Sequence, residues 1–424
     1  MLYDRWQRIA SEHPHDLALH DLASGQRWTF GELARRHPRR TGGSPAVFFP
    51  GSQGAEFILS VLEAWGSGAA VCPVEAGQAS PSLARPPRGL VHFKTTSGSA
   101  GQARLVAFTA EQLAADVDQI VATMGLRPQW PNLGLISLSH SYGFSNLVLP
   151  LLLHGIPLLL AGSPLPEPLR RAAATRADLT VPAVPALWRA WHEAGVIPAN
   201  IRLAISAGAP LPLALEQEVF SSAGIKVHNF YGASECGGIA FDASVVPRSD
   251  AACVGSAMDR VRLSIHPEGC LEVRSAAVAE TYWPDAEPNL GRGCHQTSDL
   301  ATITNGVVSL RGRAGDQMNV AGRKVSPEII ERVLLTHPQV KDCLVFGAPA
   351  LESGRSDTVV ACVVAGSEVS GETLRQFLLS QLPAWQVPRE WRFLETLSPN
   401  QRGKLSRTEW RERLGFATVV GKPA

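Results

Sequence analysis

Apolar runs of strand length alternate with amphipathic segments of helix length between residues 45 and 231. The apolar run at 46–49 precedes a segment in which hydrophobic residues recur at helical spacing, namely Phe57, Ile58, Val61, Leu62 and Trp65. Strands without a polar face are typical of parallel sheets that helices cover on both sides. The pattern therefore predicts an α/β fold, with a large N-terminal domain of mainly parallel sheets.

The pattern changes after Gly238 and again near residue 312. Shorter apolar runs separated by turns follow Gly238, which predicts a mostly β subdomain. A glycine-rich polar break spans 312–316, and a compact α+β pattern begins beyond it, with Pro327 at the first position of a helix. We therefore expect an N-terminal domain over 1–312 and a small, mobile C-terminal α+β domain over 313–424.

Composition narrows the class of protein. The 424 residues include 39 Lys and Arg against 38 Asp and Glu, so the net charge of +1 gives no field that would attract nucleic acid or an anionic membrane. The seven cysteines form no C-x-x-C pair, which argues against structural zinc and disulfides and favours the cytoplasm. The longest apolar run, 147–161, is interrupted by two prolines and a histidine, so we expect no membrane span.

The segment from Thr95 to Arg104 concentrates small hydroxyl and glycine residues and ends in a cation. Glycines let several backbone N–H groups converge on one anion, hydroxyl groups add donors, and a guanidinium neutralises charge. The segment is a candidate polyphosphate-binding loop, and an ordinary turn between strands is the alternative. Its candidate binding residues are Thr96, Ser97, Gly98, Ser99, Gly101 and the cation Arg104.

The sequences on either side of this loop predict its setting. Short apolar runs at 90–93 and 105–108 are typical of buried strands, so the loop should be a hairpin tip. A helix is expected next, with Thr109 as N-cap and Gln112 as its capping-box partner. The loop lacks the Gly-Lys-Ser/Thr end that leads directly into a helix, which disfavours a phosphotransferase.

Further motifs follow the loop in a fixed order. They lie at 206–211, 231–235, 297–299, 312–316, 322–325 and 403–404. Together they resemble the motifs of the adenylate-forming superfamily, which contains acyl- and aryl-CoA ligases, the adenylation domains of peptide synthetases and luciferase. Each motif alone is also compatible with an ordinary turn, and it is their common order that makes chance agreement improbable. The resemblance extends over nearly the whole chain, from residue 28 to residue 404.

The resemblance implies nucleotide-binding roles for residues along the chain. Tyr231 would pack on adenine, and Glu235 would help to hold Mg²⁺ on the phosphates, since a hard dication prefers carboxylate ligands. Asp299 would accept hydrogen bonds from the ribose hydroxyls, with Arg313 in support. The other nucleotide-binding residues that the resemblance implies are Gly208, Ala209, Pro210, Gly232 and Ser234.

The resemblance also implies a two-step reaction. Lys404 would approach the carboxylate and the α-phosphate during adenylation, where a cation offsets the meeting of two anions. Gly315 would then serve as a hinge, and the loop at Gly322 would admit a thiol. His140 would shape the acid pocket and gate the thiol, while a buried structural histidine is the alternative. The candidate catalytic residues are Lys404, Arg104, His140 and Glu235.

These expectations define one main function and one alternative. The main function is activation of a hydrophobic or aromatic carboxylic acid by ATP and Mg²⁺, giving an acyl-adenylate and pyrophosphate. Transfer to the thiol of CoA, or to the phosphopantetheine of a carrier protein, would follow. The alternative is a nucleotide-binding relative with a regulatory role and little turnover, because Arg104 stands where the family usually has lysine. The sequence leaves the acid, the thiol acceptor and the oligomeric state open.

Overall fold

The computed structural model describes residues 1–36, 46–51, 54–75, 78–83, 86–96, 104–174, 178–349, 357–397 and 405–416. The chain divides into two compact units. Unit 1 comprises Met1–His266, Glu272–Thr297 and Ile303–Val308, and unit 2 comprises Pro267–Leu271, Ser298–Thr302 and Ser309–Ala424. The domain boundary expected after residue 312 stays a prediction.

Helices and strands alternate through the first part of unit 1. Its helices are α1 (Leu2–Glu12), α2 (Phe30–Arg36), α3 (Ala55–Ser67), α4 (Ala110–Met124), α5 (Ser141–Gly143), α6 (Leu149–His154), α7 (Pro166–Ala174), α8 (Pro185–Glu193) and α9 (Leu213–Ala223), with a π-helix over Phe144–Val148 between α5 and α6. Its strands are β1 (Leu17–Asp21), β2 (Arg27–Thr29), β3 (Val47–Phe48), β4 (Ala70–Val71), β5 (Leu90–Thr96), β6 (Arg104–Thr109), β7 (Asn132–Gly134), β8 (Leu158–Leu160), β9 (Leu179–Ala183), β10 (Ile201–Ser206), β11 (Val227–Ala233) and β12 (Gly237–Phe241).

These strands form two sheets. In one sheet the order is β12-β11-β10-β9-β7-β8-β1-β2, and β9, β10 and β11 run parallel to one another. Every residue of β8 and of β9 is buried, as the apolar runs predicted for strands that are covered on both faces. In the other sheet β3, β4 and β5 are parallel, and β6 pairs antiparallel with β5. The predicted α/β fold class is confirmed.

The strands expected on both sides of the candidate phosphate loop are β5 and β6. Helix α4 begins directly after β6. The side chain of Thr109 accepts a hydrogen bond from the backbone N–H of Gln112, and the Gln112 side-chain oxygen accepts one from the backbone N–H of Thr109. The predicted capping box is therefore present, and it fixes the start of α4 against the end of β6.

Shorter strands follow β12, as the change of pattern after Gly238 predicted. They are β13 (Cys253–Ala257), β14 (Arg262–Ile265), β15 (Cys270–Arg274), β16 (Thr281–Trp283), β17 (Leu290–Gly291), β18 (Cys294–Thr304) and β19 (Val307–Arg313). Strand β13 pairs antiparallel with β12, and β16 pairs antiparallel with β6. The second pairing adds β16 to the edge of the sheet that contains the candidate phosphate loop.

A buried network of four charged side chains ties several elements of unit 1 together. Glu216 of α9 accepts hydrogen bonds from Arg248 Nε at 2.8 Å and from the Arg248 backbone N–H at 3.0 Å, and it pairs with Lys226. Lys226 Nζ also donates to Asp242 Oδ2 at 2.6 Å. Arg248 Nη2 donates to the carbonyl of Leu211 at 2.8 Å. The network is thereby anchored to the segment that follows β10.

The part of unit 2 after β19 is an α+β domain, as expected. Its elements are β20 (Met318–Val320), β21 (Arg323–Val325), α10 (Pro327–Leu334), β22 (Val340–Pro349), β23 (Asp357–Ala365), α11 (Gly371–Leu379), β24 (Glu390–Phe393) and α12 (Arg407–Arg413). Strand β22 pairs antiparallel with β23, and β24 pairs parallel with it. Successive residues of β22 face two different apolar clusters, so this small sheet is buried on both faces.

Arg407, at the start of α12, is surrounded by carboxylates of unit 2. Its Nη1 lies 2.8 Å from Asp316 Oδ2 and 3.0 Å from Glu328 Oε1, and its Nη2 donates to both oxygens of Glu331 at 2.9 and 2.8 Å. Glu331 also accepts a hydrogen bond from the backbone N–H of Val345 at 2.8 Å. The guanidinium thus ties the turn at Ala314–Asp316 to α10 and α12.

The buried Glu331 makes stability depend on pH. Burial raises the pKa of Glu331 to about 7, against the opposing effect of the Arg407 guanidinium, whereas an unfolded glutamate titrates near ~4.3. Between these values the folded chain binds the extra proton, so the free energy of unfolding contributed by Glu331 should fall as pH rises through this window. Glu331→Gln keeps an acceptor for Val345 but does not titrate. We expect wild type to lose stability relative to this variant across the window in urea titrations, and a pH-independent difference would contradict the assignment.

Candidate nucleotide-binding site

The carboxyl ends of three parallel strands meet at one edge of the larger sheet in unit 1. Ser206 at the end of β10 is in register with Ala183 of β9 and with Asn229 of β11. The carboxyl edge of a parallel sheet is where ligands usually bind. The predicted adenine segments Gly208–Pro210 and Tyr231 belong to this edge, because they follow β10 and lie on β11.

The turn after β10 requires glycine because of its backbone conformation and not because of steric crowding. Gly208 has a φ of +85°, in the left-handed region, whereas a Cβ at this position would meet Val184 Cγ1 at an ordinary 3.6 Å. Gly208, Ala209 and Pro210 are exposed. The residues of this turn are therefore open to solvent, and their contact with adenine stays a prediction.

A tight hairpin joins β11 to β12 and carries the predicted metal ligand. Ala233 pairs with Gly237, which leaves residues 234–236 at the tip, with Glu235 in the middle. A Cβ on Gly232 would lie 2.6 Å from the carbonyl oxygen of Gly237, so the close approach of the two strands requires glycine there. Tyr231, Ser234 and Glu235 are half-buried. The side chains of this motif are therefore presented at the surface of unit 1.

Glu235 has a partner that the sequence analysis missed. The hydroxyl of Tyr282, on β16, donates to Glu235 Oε1 at 3.2 Å. Burial raises the pKa of Tyr282, and the nearby carboxylate of Glu235 raises it further. The phenol therefore stays protonated and holds one oxygen of the carboxylate. These two residues are 47 positions apart, and no local pattern in the sequence connects them.

The predicted loop cation lies next to the same tyrosine. Arg104 is the first residue of β6, and its guanidinium carbon lies 5.9 Å from the centroid of the Tyr282 ring. It forms an ion pair with Glu287. Arg104 and Tyr282 thus lie on the adjacent strands β6 and β16, and the Tyr282 hydroxyl connects them to Glu235 at the tip of the β11–β12 hairpin.

The two residues predicted to hold the ribose contact each other in unit 2. Arg313 Nε donates to Asp299 Oδ1 at 3.0 Å, joining the end of β19 to β18. The Asp299 side chain is mostly buried, and the Arg313 side chain is mostly exposed. A buried carboxylate held by one guanidinium nitrogen is suited to accepting further hydrogen bonds from a diol.

His140 lies in an acidic and hydroxyl-rich cluster. Its Nε2 is 3.4 Å from Glu75 Oε1, which also accepts hydrogen bonds from Ser137 Oγ at 2.8 Å and Ser139 Oγ at 2.6 Å. The His140 side chain is 42% exposed, so it is not the fully buried structural histidine of the alternative interpretation. Glu75 was not predicted, although a carboxylate four residues after β4, a buried parallel strand, was a signal for it.

The glycines predicted to allow movement lie in turns of unit 2. Gly315 is exposed in the turn Ala314–Asp316, and no described atom lies within 4 Å of a Cβ placed on it. Gly322 has a φ of +82° and follows Ala321, whose φ is +50°, in the two-residue turn between β20 and β21. Thr96 ends β5. The remaining predicted residues, Ser97, Gly98, Ser99, Gly101 and Lys404, lie outside the described residues.

Glu235 fits the requirements of a magnesium ion bound together with ATP. Across the described ranges, no three His, Cys, Asp or Glu side chains are grouped closely enough to enclose a metal. Mg²⁺ does not need such a cage, since it keeps several waters and is usually held by one or two carboxylates plus substrate phosphates. A half-buried carboxylate at a hairpin tip is compatible with that coordination.

Comparison with known proteins decides the family. The model of the AMP-binding enzyme family matches residues 73–283, and the model of its C-terminal domain matches residues 329–404. The chain belongs to the AMP-binding enzyme family. The first model contains the candidate phosphate loop and the motifs at 206–211 and 231–235, and the second contains residues 403–404. The predicted membership of the adenylate-forming superfamily is confirmed.

Three relatives show how this AMP-binding enzyme compares with others. A probable 2-succinylbenzoate–CoA ligase of Mycobacterium tuberculosis (strain CDC 1551 / Oshkosh) is 29% identical over 334 residues, which cover 74% of this chain and 82% of that protein. A feruloyl-CoA synthase of Amycolatopsis sp is 26% identical over 341 residues, covering 76% and 69%. The crystal structure of ATP-bound MatB from Rhodopseudomonas palustris superimposes with a TM-score of 0.85 at 20% identity, covering 97% of this chain and 99% of that one.

The comparisons confirm the predicted class of activity. This AMP-binding enzyme binds ATP and is an AMP-forming ligase that activates a carboxylic acid as its adenylate. The likeness to MatB establishes the fold. In the part of the chain that the structure describes, no helix has the length and apolar character needed to cross a membrane. The roles assigned to single residues stay predictions.

Proposed function

We propose that this enzyme joins a hydrophobic or aromatic carboxylic acid to a thiol, using ATP and Mg²⁺, with CoA as the acceptor of the acyl group. The observation that carries the proposal is the position of Tyr282, which donates to Glu235 and lies beside Arg104, the cation that follows the candidate phosphate loop in the sequence. The choice of CoA is supported by two of the three relatives reported above, which are named as a CoA ligase and a CoA synthase. The phosphopantetheine of a carrier protein is the other candidate acceptor.

In the first step, a carboxylate oxygen of the acid forms a bond to the α-phosphorus of ATP. The bond from that phosphorus to the bridging oxygen breaks, and pyrophosphate leaves. Arg104 would neutralise phosphate charge, exchanging Glu287 for phosphate oxygens, with the fork geometry of its guanidinium suited to them. Glu235 would hold Mg²⁺, which supplies charge neutralisation at the phosphates when bound. Tyr282 would keep the Glu235 carboxylate oriented.

In the second step, the thiol sulfur forms a bond to the acyl carbon, the thiol proton is released, and AMP leaves. We assign the change from the first step to the second to a movement of residues 313–424 relative to residues 1–312, with Gly315 as the hinge. The exposed turn Ala314–Asp316 supports this position for the hinge, because no described atom lies within 4 Å of a Cβ placed on Gly315. Lys404 would serve the first step and the loop at Gly322 the second, with His140 beside the acid.

We also propose a cytoplasmic location. No disulfide joins any of the seven cysteines, all of which lie within the described ranges. Burial raises the pKa of Cys72 to about 12 and that of Cys362 to about 11, and it raises the pKa of Cys343 well above its usual value. Thiols of this kind are typical of a reducing compartment.

The proposed function is tested with the purified full-length chain and a panel of hydrophobic and aromatic acids. We expect exchange of labelled pyrophosphate into ATP that depends on one class of acid, with AMP and not ADP as the product. Addition of CoA should give a thioester. A hydroxamate formed with hydroxylamine, but no CoA thioester, would favour a carrier protein instead. Binding of ATP without exchange for any acid would support the regulatory alternative and contradict the proposal.

A further inference from the structure

A buried lysine lies on β5, the strand that precedes the candidate phosphate loop. Lys94 is on β5, two residues before Thr96, and its side chain is 4% exposed. Its Nζ lies 3.5 Å from Ser145 Oγ, 4.0 Å from Asp116 Oδ2 and 4.5 Å from the centroid of the Phe108 ring. A buried ammonium group is costly unless it is paired. An apolar side chain at this position would have no desolvation cost, so packing alone does not explain the buried cation.

Asp116 connects this lysine to the hairpin that carries Glu235. The carboxylate, on α4, is 2% exposed and accepts a hydrogen bond from Ser145 Oγ at 2.6 Å. Its other oxygen accepts one from the backbone N–H of Gly238 at 3.1 Å, three residues after Glu235. Lys94 of β5 is therefore connected to the backbone of β12 through its ion pair with Asp116 and the hydrogen bond from Gly238, all within unit 1.

Asp116 packs so closely against the hairpin that a side chain at Gly237 is sterically excluded. Gly237 has a φ of +66°, and a Cβ on it would lie 2.0 Å from Asp116 Oδ1. The carboxylate is thus packed directly on the hairpin backbone where the tip turns into β12. Burial lowers the pKa of Lys94, and the negative charges of Asp116 and Glu235 oppose that effect, which places Glu235 within electrostatic reach of the ammonium group.

We propose that Lys94 and Asp116 are positioning residues for MgATP. Their buried charge pair holds the strand that enters the phosphate loop and the hairpin that presents Glu235 in one fixed relation. Neither residue is expected to touch the nucleotide. The inference rests on ATP binding and on the proposed role of Glu235, and it is independent of the acid and of the thiol acceptor.

The test measures nucleotide affinity in the full-length chain by titration calorimetry. The variants are Lys94→Met, Asp116→Asn and the two combined, with Leu169→Ala as a core-cavity control in the same unit. Leu169 is fully buried in a separate apolar cluster. The thermal unfolding midpoint of every variant is recorded. The change in affinity of each charge variant is then compared with that of Leu169→Ala, taking into account how much stability each variant loses.

We expect the dissociation constant for MgATP to rise about tenfold in each single variant. The double variant should be no weaker than the weaker single one, because the two residues act as a pair. AMP lacks the β- and γ-phosphates that the loop and Glu235 would hold, so its affinity should change by less than about threefold. The Leu169→Ala control should lose thermal stability while keeping its affinity for MgATP.

Three results would overturn the proposal. The first is a folded Asp116→Asn variant whose MgATP affinity is within about twofold of wild type. The others are equal weakening of MgATP and AMP, and equal weakening in the Leu169→Ala control. If Lys94→Met does not fold, Asp116→Asn decides alone, since its amide oxygen still accepts from Gly238. A wild-type chain that binds MgATP but exchanges no pyrophosphate would refute the proposed function and leave this inference standing.

Discussion

Replacement of Lys404 by alanine is expected to slow acid-dependent exchange of pyrophosphate into ATP by about 10²–10³-fold. Attack of a carboxylate on the α-phosphorus brings two anions together, and a preorganised cation stabilises the charge that develops there. Lys404 precedes α12, whose first residue, Arg407, is held by three carboxylates of unit 2. The measurement is the initial rate of exchange at saturating ATP and acid.

Two comparisons show whether the lysine acts as proposed. Arg402→Ala removes a neighbouring cation and should leave the exchange nearly unchanged. Transfer of the acyl group from a preformed adenylate to the thiol should be much less affected by Lys404→Ala than the exchange, because Lys404 is proposed to serve the first step alone. Equal slowing of both steps, or equal slowing by Arg402→Ala, would contradict the assignment.

Replacement of Glu216 by alanine is expected to destabilise the protein by about 3–5 kcal/mol. The variant leaves Lys226 and Arg248 buried without their shared carboxylate, and an uncompensated buried charge is more costly than the absence of the whole network. The network also holds the carbonyl of Leu211, next to the predicted adenine segment Gly208–Pro210. The free energy of unfolding is obtained from urea titrations followed by far-UV circular dichroism.

A matched glutamate on another helix provides the control. Glu167 of α7 pairs with Arg170 at 3.4 Å, and both side chains are more than half exposed. Solvent and salt screen such a pair, so Glu167→Ala should cost no more than about 1 kcal/mol. Losses of similar size in the two variants would show that the buried network contributes little beyond a surface pair.

The sequence predicted those features that depend on neighbouring residues. Apolar runs marked β8 and β9 because a parallel strand is buried on both faces, and that burial leaves a continuous hydrophobic pattern. The cap at Thr109 was predictable because its partner Gln112 is three residues away. The nucleotide motifs were recognised from their order along the chain, which survives even where the neighbouring sequence differs.

Features that depend on the fold could not be predicted in the same way. Glu75 meets Ser137 and Ser139 across more than 60 residues, and the tyrosine that holds Glu235 is 47 residues beyond it. A charged residue inside an apolar run, such as Lys94, indicates only that some partner must exist. Which carboxylate that is depends on how α4 packs against the sheet, and no local pattern contains this information.

The burial of the cysteine sulfurs has a consequence for an enzyme that is proposed to transfer an acyl group to a free thiol. Mixed disulfides form when a thiolate attacks, and a thiol with a strongly raised pKa supplies almost no thiolate near neutrality. Burial raises the pKa of Cys72, Cys343 and Cys362, so these thiols react poorly with disulfides near neutral pH. The protein's own sulfur at these positions therefore neither competes with the acceptor for the activated acyl group nor becomes capped by oxidised acceptor.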